Sequence, residues 1–143
     1  MSCLGCRLAN KEETVYVVFE DSDVSCILDH NPYSEGHVLI VPKTHARYMD
    51  ELDEHTASAV FQAASRMSKT IKHLFKPDGI TVCQNGGAFD DLTHFHMHVV
   101  PRYEGQNFAD FFIEGEEELP IEKASILEET RKKISKAVEG LHE

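Results

Sequence analysis

Histidine stands at three alternate positions, His94, His96 and His98, in the run Thr93-His94-Phe95-His96-Met97-His98-Val99-Val100-Pro101. The intervening Phe95, Met97 and Val99 are apolar. In an extended strand successive side chains point to opposite faces, so this pattern predicts three imidazoles on one face and a core behind them. Adjacent imidazoles then lie roughly 6–7 Å apart, two strand rises. Such a row can hold a phosphate, present a nucleophile or bind a metal; the plainest alternative is a strand with its polar side in water. A neutral imidazole is a competent nucleophile near pH 7, its reference pKa being about 6.5. Attack on phosphorus gives a covalent phospho-histidine species and splits one hard step into two easier ones. The amides of Asn85-Gly86-Gly87 can approach an anion closely, although the same residues also read as a plain turn.

Cys3 and Cys6 form a C-x-x-C pair. Alone it reads either as half of a zinc site or as a reduced thiol pair. Cys26 and Cys83 lie in apolar, strand-like runs, where cysteine is usually a small buried hydrophobe.

The elements that must position these residues follow from periodicity and turn chemistry. Val15 to Glu20 and Ser25 to Asp29 read as a hairpin about Asp21-Ser22-Asp23. The loop 31–36 leads to a strand from His37 to Val41, stopped by Pro42. Asp53 is the expected N-cap of a helix whose stripe is Ala57, Val60, Phe61, Ala64, Met67, Ile71 and Leu74. Lys76-Pro77-Asp78-Gly79 ends it. A strand from Ile80 to Gln84 precedes the histidine strand, read as Phe95 to Val100 and stopped by Pro101. Residues 102–119 are irregular and acidic, with Glu116 to Glu118 a solvated charge run. Pro120 sits near the first turn of a last helix, traced by Leu127, Arg131, Ile134, Val138 and Leu141. Hairpin-linked strands with two segregated helices predict an α+β fold with an antiparallel sheet.

The chain has 143 residues, 41% of them apolar, which suits one domain with a real core. A formal net charge of −11 argues against nucleic acid or an anionic membrane as partner. No apolar run approaches the ~20 residues of a membrane span, and the first residues lack signal-peptide character, so a cytoplasmic location is expected. In that compartment none of the four cysteines is expected in a structural disulfide.

The segment His94 to Val100 resembles the signature of the histidine triad (HIT) family, His-apolar-His-apolar-His-apolar-apolar. The resemblance extends to Cys3-Leu4-Gly5-Cys6, to Ile27-Leu28-Asp29 with Asn31-Pro32, to the run Gly36 to His45, and to Pro101-Arg102-Tyr103. It covers residues 3–103 of a single HIT domain, 1–143, leaving 104–143 as a variable C-terminal segment and helix. It implies a HIT-like fold, a meandering antiparallel sheet with two main helices, and a homodimer in which helix 53–75 contributes apolar contacts. It also implies hydrolysis of nucleoside phosphoramidates or dinucleoside polyphosphates, the substrate being an adenosine or guanosine phosphate derivative. His96 would be the nucleophile, with His98 and His37 at the phosphate. Asp29 would bind the ribose, Asn85 the phosphate, and His30 would lie near the base. No metal is implied for catalysis. Bacterial zinc-containing members place a structural zinc where this chain has Cys3, Cys6, His45 and His94.

One departure stands out. Family members usually carry Gly-Gln-Ser or Gly-Gln-Thr before the triad, where this chain has Phe89-Asp90-Asp91-Leu92-Thr93. Carboxylates facing a phosphate would repel it, which lends weight to a rival reading as a nucleotide-binding regulatory or scaffold protein. A second rival takes the three triad histidines as ligands of a catalytic metal.

Overall fold

The strands and helices follow the expected punctuation closely, and their ends depart from it for local reasons. A computed structural model describes residues 3–112 and 122–142. Strands β1 (Val17–Glu20), β2 (Val24–Leu28) and β3 (Val38–Pro42) form an antiparallel meander. Helix α2 (Glu54–Phe75) then crosses to the edge strand β4 (Gly79–Cys83), and β5 (Met97–Arg102) returns between β3 and β4. A short helix, α1 (Leu4–Ala9), precedes the sheet, and α3 (Ala124–His142) ends the described chain. Sheet order is β1-β2-β3-β5-β4, antiparallel throughout. The architecture is α+β, as expected.

The two faces of the sheet have different tasks. On one, Cys26, Leu28, Val38, Ile40 and Val99 pack with Val60, Met67 and Ile71 of α2 and Leu127, Ile134 and Val138 of α3. Burying each large aliphatic side chain here contributes about 1.5–3 kcal/mol. On the other, Ile27, Leu39 and Val41 pack with Ala9 and Leu8 of α1. Both β2 and β3 are buried along their whole length because both faces are covered. Leu39 pairs with His98 across the β3–β5 ladder, so β5 presents this histidine on the α1 face.

Asp53 caps α2 as expected, its Oδ1 accepting from Thr56 N–H at 2.7 Å. The helix stops at Lys76, held at φ 46° in the left-handed region ahead of Pro77. Its buried stripe is Thr56, Val60, Ala63, Ala64, Met67, Thr70 and Ile71. Ala57 is exposed, and Phe61 points outward, 74% exposed, on the side away from the sheet. Cys83 is only half-buried because β4 is an edge strand.

Two prolines lie inside strands they were expected to stop. Pro101 pairs with Ile80, while its carbonyl accepts from Ser34 Oγ at 2.7 Å beyond the end of β3. In an antiparallel ladder a residue's N and C=O point the same way, so the missing N–H faces no ladder partner. Pro42 likewise pairs with Val24 at the last register position of β2–β3. Pro120 and the Glu116 to Glu118 run lie outside the described residues.

Candidate active site and metal centre

The expected single row of histidines is divided. β5 begins only at Met97, and Thr93 has φ 53°, so the chain turns just before the strand. His94 is thereby directed to one cluster, and His96 and His98 to another.

In the first cluster, Phe95 N–H donates to the Ala46 carbonyl at 2.6 Å, which brings loop 43–48 alongside His94. The rings of His45 and His94 are 5.2 Å apart, with Nδ1 to Nδ1 at 3.2 Å. Cys3 Sγ lies 3.3 Å from His45 Nδ1 and 3.4 Å from His94 Nδ1; for Cys6 Sγ the distances are 3.3 and 3.5 Å. An ion held tetrahedrally at 2.0–2.3 Å would have donor–donor edges of roughly 3.3–3.8 Å. The four donors therefore fit tetrahedral zinc, and the arrangement is compatible with a structural site. The surroundings support the ligand geometry. His94 Nε2 donates to the Pro42 carbonyl at 2.8 Å, which leaves Nδ1 as the lone-pair donor. Cys3 also caps α1, its Sγ accepting from Cys6 N–H. Gly5 lies against His94, where a Cβ would come within 2.2 Å of the histidine's own Cβ. Burial lowers the His94 imidazole, partly opposed by the Pro42 carbonyl bond.

In the second cluster the backbone decides each tautomer. A carbonyl can only accept, so His96 Nδ1 donates to the His94 carbonyl at 2.9 Å, and in the neutral ring Nε2 carries the lone pair. An amide N–H can only donate, so His37 Nδ1 accepts from Tyr33 N–H at 3.0 Å and carries its proton on Nε2. That Nε2–H meets His98 Nδ1 at 2.9 Å, with Asp29 Oδ2 at 3.5 Å. His98 must then carry its proton on Nε2. Burial, with His37 and His96 alongside, pushes His98 down to about 2, which keeps it neutral. Burial also lowers His37, and the Asp29 carboxylate opposes part of that effect.

His96, His98, His37, Asp29, His30 and Asn85 all line one cavity of about 600 Å³. Leu8, Ile27, Leu39 and Phe89 supply apolar wall. The volume and the mix of apolar wall with a few convergent polar groups suit a small ligand of nucleotide size. Asp29 Oδ1 accepts from Asn31 N–H at 2.9 Å, which fixes the carboxylate at the cavity edge.

Several contributors were not legible beforehand. Phe111 covers the histidine pair, 5.0 Å from the His98 ring and 5.7 Å from His37, and stacks on Phe108 at 5.0 Å. No short-range pattern marks it: it lies in a short 3-10 turn, Phe108–Phe112, within the stretch expected to be irregular. Asp90 does not face the cavity. It is buried on the Nδ1 side of His96 at 3.5 Å, while Asp91 is exposed at the cavity wall. The three triad histidines also do not form one ligand set: among the described residues, His94 groups with the cysteines, and His98 with His37 and Asp29. This removes the reading in which all three hold one catalytic metal. No described helix is long and apolar enough to cross a membrane.

Comparison with known proteins agrees with this geometry. The HIT domain model matches residues 10–105. An adenosine 5'-monophosphoramidase of Schizosaccharomyces pombe is 30% identical over 104 residues, 71% of this chain and 75% of its own. The crystal structure of a Hit-like protein involved in cell-cycle regulation from Bartonella henselae, with an unknown ligand, superposes with a TM-score of 0.83 at 33% identity, covering 95% and 96% of the two chains. That of a Zn-bound histidine triad family protein from Mycobacterium smegmatis gives 0.79 at 26% identity, covering 99% and 96%.

Proposed function

This chain belongs to the HIT domain family, and we propose that it is a nucleotidyl hydrolase or transferase acting through a covalent nucleotidyl-histidine on His96. The substrates are nucleoside phosphoramidates or dinucleoside polyphosphates. The observation that carries this reading is the fixed tautomer of His96: Nδ1–H is engaged by the His94 carbonyl at 2.9 Å, leaving Nε2 as a lone-pair nucleophile on a cavity-lining ring. The name of the Schizosaccharomyces pombe relative, a phosphoramidase, supports the substrate class.

The steps follow from the hydrogen bonds. His96 Nε2 attacks the α-phosphorus; the N–P bond forms, the bond to the leaving atom breaks, and the leaving atom keeps that electron pair. His98 is fixed by His37, so its Nε2–H donates to a phosphoryl oxygen or to the leaving atom. Water then attacks the same phosphorus, the N–P pair returns to His96, and the surplus proton passes to solvent. Asp29 accepts from the ribose hydroxyls, Asn85 contacts the phosphate and His30 borders the base. Phe111, packed on His98, keeps water from the resting pair. No step draws on a metal.

Zinc, held by Cys3, Cys6, His45 and His94, would tie α1 and loop 43–48 to the start of the catalytic strand. The fit of the four donors and the Zn-bound relative support this. A homodimer, in a cytoplasmic setting, would cover Phe61 of α2, which is 74% exposed.

Turnover of both substrate classes, measured with and without a chelator, tests the reading. Chelator-insensitive hydrolysis is expected. Nucleotide binding with no turnover would favour a regulatory or scaffold role instead.

A further inference from the structure

Asp90 is a buried carboxylate that pairs with no Lys or Arg among the described residues. Its side chain is fully buried, and its Oδ1 accepts from Leu92 N–H at 2.8 Å. Among the described residues Oδ2 has no hydrogen-bond partner, and no Lys or Arg pairs with it. A lone buried carboxylate is costly, so such a group calls for an explanation. Among the described residues, the ionisable side chain in ion-pair range is His96, whose Nδ1 lies 3.5 Å from Asp90 Oδ1.

We infer that Asp90 is a positioning residue for the nucleophile: it orients His96 and stabilises the positive charge the ring acquires when Nε2 bonds to phosphorus. The inference rests on the covalent reading above. Attack starts from the tautomer with a proton on Nδ1, engaged by the His94 carbonyl, and a lone pair on Nε2. Attack moves that lone pair into the N–P bond, and the leaving atom departs with its own bonding pair. Nδ1 keeps its proton throughout, so the ring, bonded at both nitrogens, becomes a cation. The His94 carbonyl offers that cation a dipole; Asp90 adds a full opposite charge from the same Nδ1 edge. Inside a low-dielectric site a fixed charge aimed at developing charge is effective because nothing must reorganise. Water expels the ring less readily while the charge is balanced, so Asp90 both speeds formation of the nucleotidyl-enzyme and prolongs its life.

The test is rapid-quench measurement of adduct formation from adenosine 5'-phosphoramidate and its guanosine counterpart. Asp90→Asn keeps an oxygen for Leu92 N–H and removes the charge. It is expected to slow adduct formation on the order of 10- to 100-fold, while the affinity for AMP stays unchanged. Asp90→Ala leaves room for a small ion, so formate should restore the rate and neutral formamide should not. A wild-type rate in Asp90→Asn, or equal rescue by formamide, would overturn the inference and leave Asp90 as a turn cap. An adduct in the wild type with an unaffected Asp90→Asn sinks this inference alone. No adduct in the wild type with either probe sinks the covalent reading as well.

Discussion

His94 and His96 are two residues apart and do opposite things. Around His94, the two thiols at the start of α1 and the imidazoles of His45 and His94 converge, with S–N and N–N separations of 3.2–3.5 Å, an arrangement compatible with a shared cation. Around His96, every polar contact is a donor meeting an acceptor, and the pattern runs in a line from Tyr33 N–H through His37 to His98. Converging donor atoms suit a metal; alternating donors and acceptors define tautomers, as the proposed catalytic role requires. The two are joined by one atom, the His94 carbonyl, which receives His96 Nδ1–H while its own ring reaches the thiols. Residue type alone does not separate them: the backbone turn at Thr93 does.

The contrast can be broken at either end, and the largest effect belongs to the nucleophile. His96→Ala should cut turnover on the order of 10⁴-fold or more, as loss of a nucleophile usually does, with melting temperature nearly unchanged. Steady-state kinetics beside a thermal melt checks both halves. Replacing Cys3 and Cys6 by Ser should do the reverse. Zinc content, read by mass spectrometry of the metal, should fall from about one per chain to near zero, because these thiolates are half of the ligand set. The melting temperature should drop by roughly 10 °C, since metal-binding energy contributes to folding. Turnover should fall only about tenfold, the usual cost of loosening support behind a site.

A third effect separates the clusters by pH. The folded His98 is pushed down to about 2 by burial and by His37 and His96. Below pH about 6.5 the unfolded chain takes up a proton at this residue that the folded chain refuses. The stability contribution is therefore full above pH about 6.5 and is lost as pH falls towards 2. The slope approaches about 1 kcal/mol per pH unit. His98→Asn should flatten the decline in melting temperature between pH 7 and 5 relative to wild type; an identical slope would show that His98 is charged in the fold. The smallest effect concerns Asp91, exposed at the cavity wall. Asp91→Ser should raise relative activity on dinucleoside polyphosphates over phosphoramidates by roughly threefold, the scale of a screened surface charge. The gap should narrow with salt.

Much of this was legible because it is carried by local chemistry. Alternation placed Phe95 and Val99 in the core and Asp53 marked the start of α2, whereas the partners of both clusters, such as His37 and His45, were reachable only through the resemblance to the HIT family. What was hidden depends on tertiary packing. Phe61 has helical spacing with Val60 and Ala64, yet it faces outward, because the sheet meets the Thr56–Val60–Ala63–Met67 side of α2. Pro101 is tolerated in β5 because the β3–β5 pairing ends at Val99, so its missing N–H faces no ladder partner. Asp90 looked like a repulsive neighbour of the phosphate. Only the fold around residues 87–92 shows it turned inward to His96, with its own Oδ1 already accepting from Leu92 N–H.

The most direct measurement is intact-protein mass spectrometry after brief mixing with adenosine and guanosine phosphoramidates and dinucleoside polyphosphates, with peptide mapping of any adduct. The account predicts one added nucleoside monophosphate per chain, mapped to His96, and none on His96→Ala. Turnover without any adduct on His96, or an adduct on His94 or His98, would contradict it.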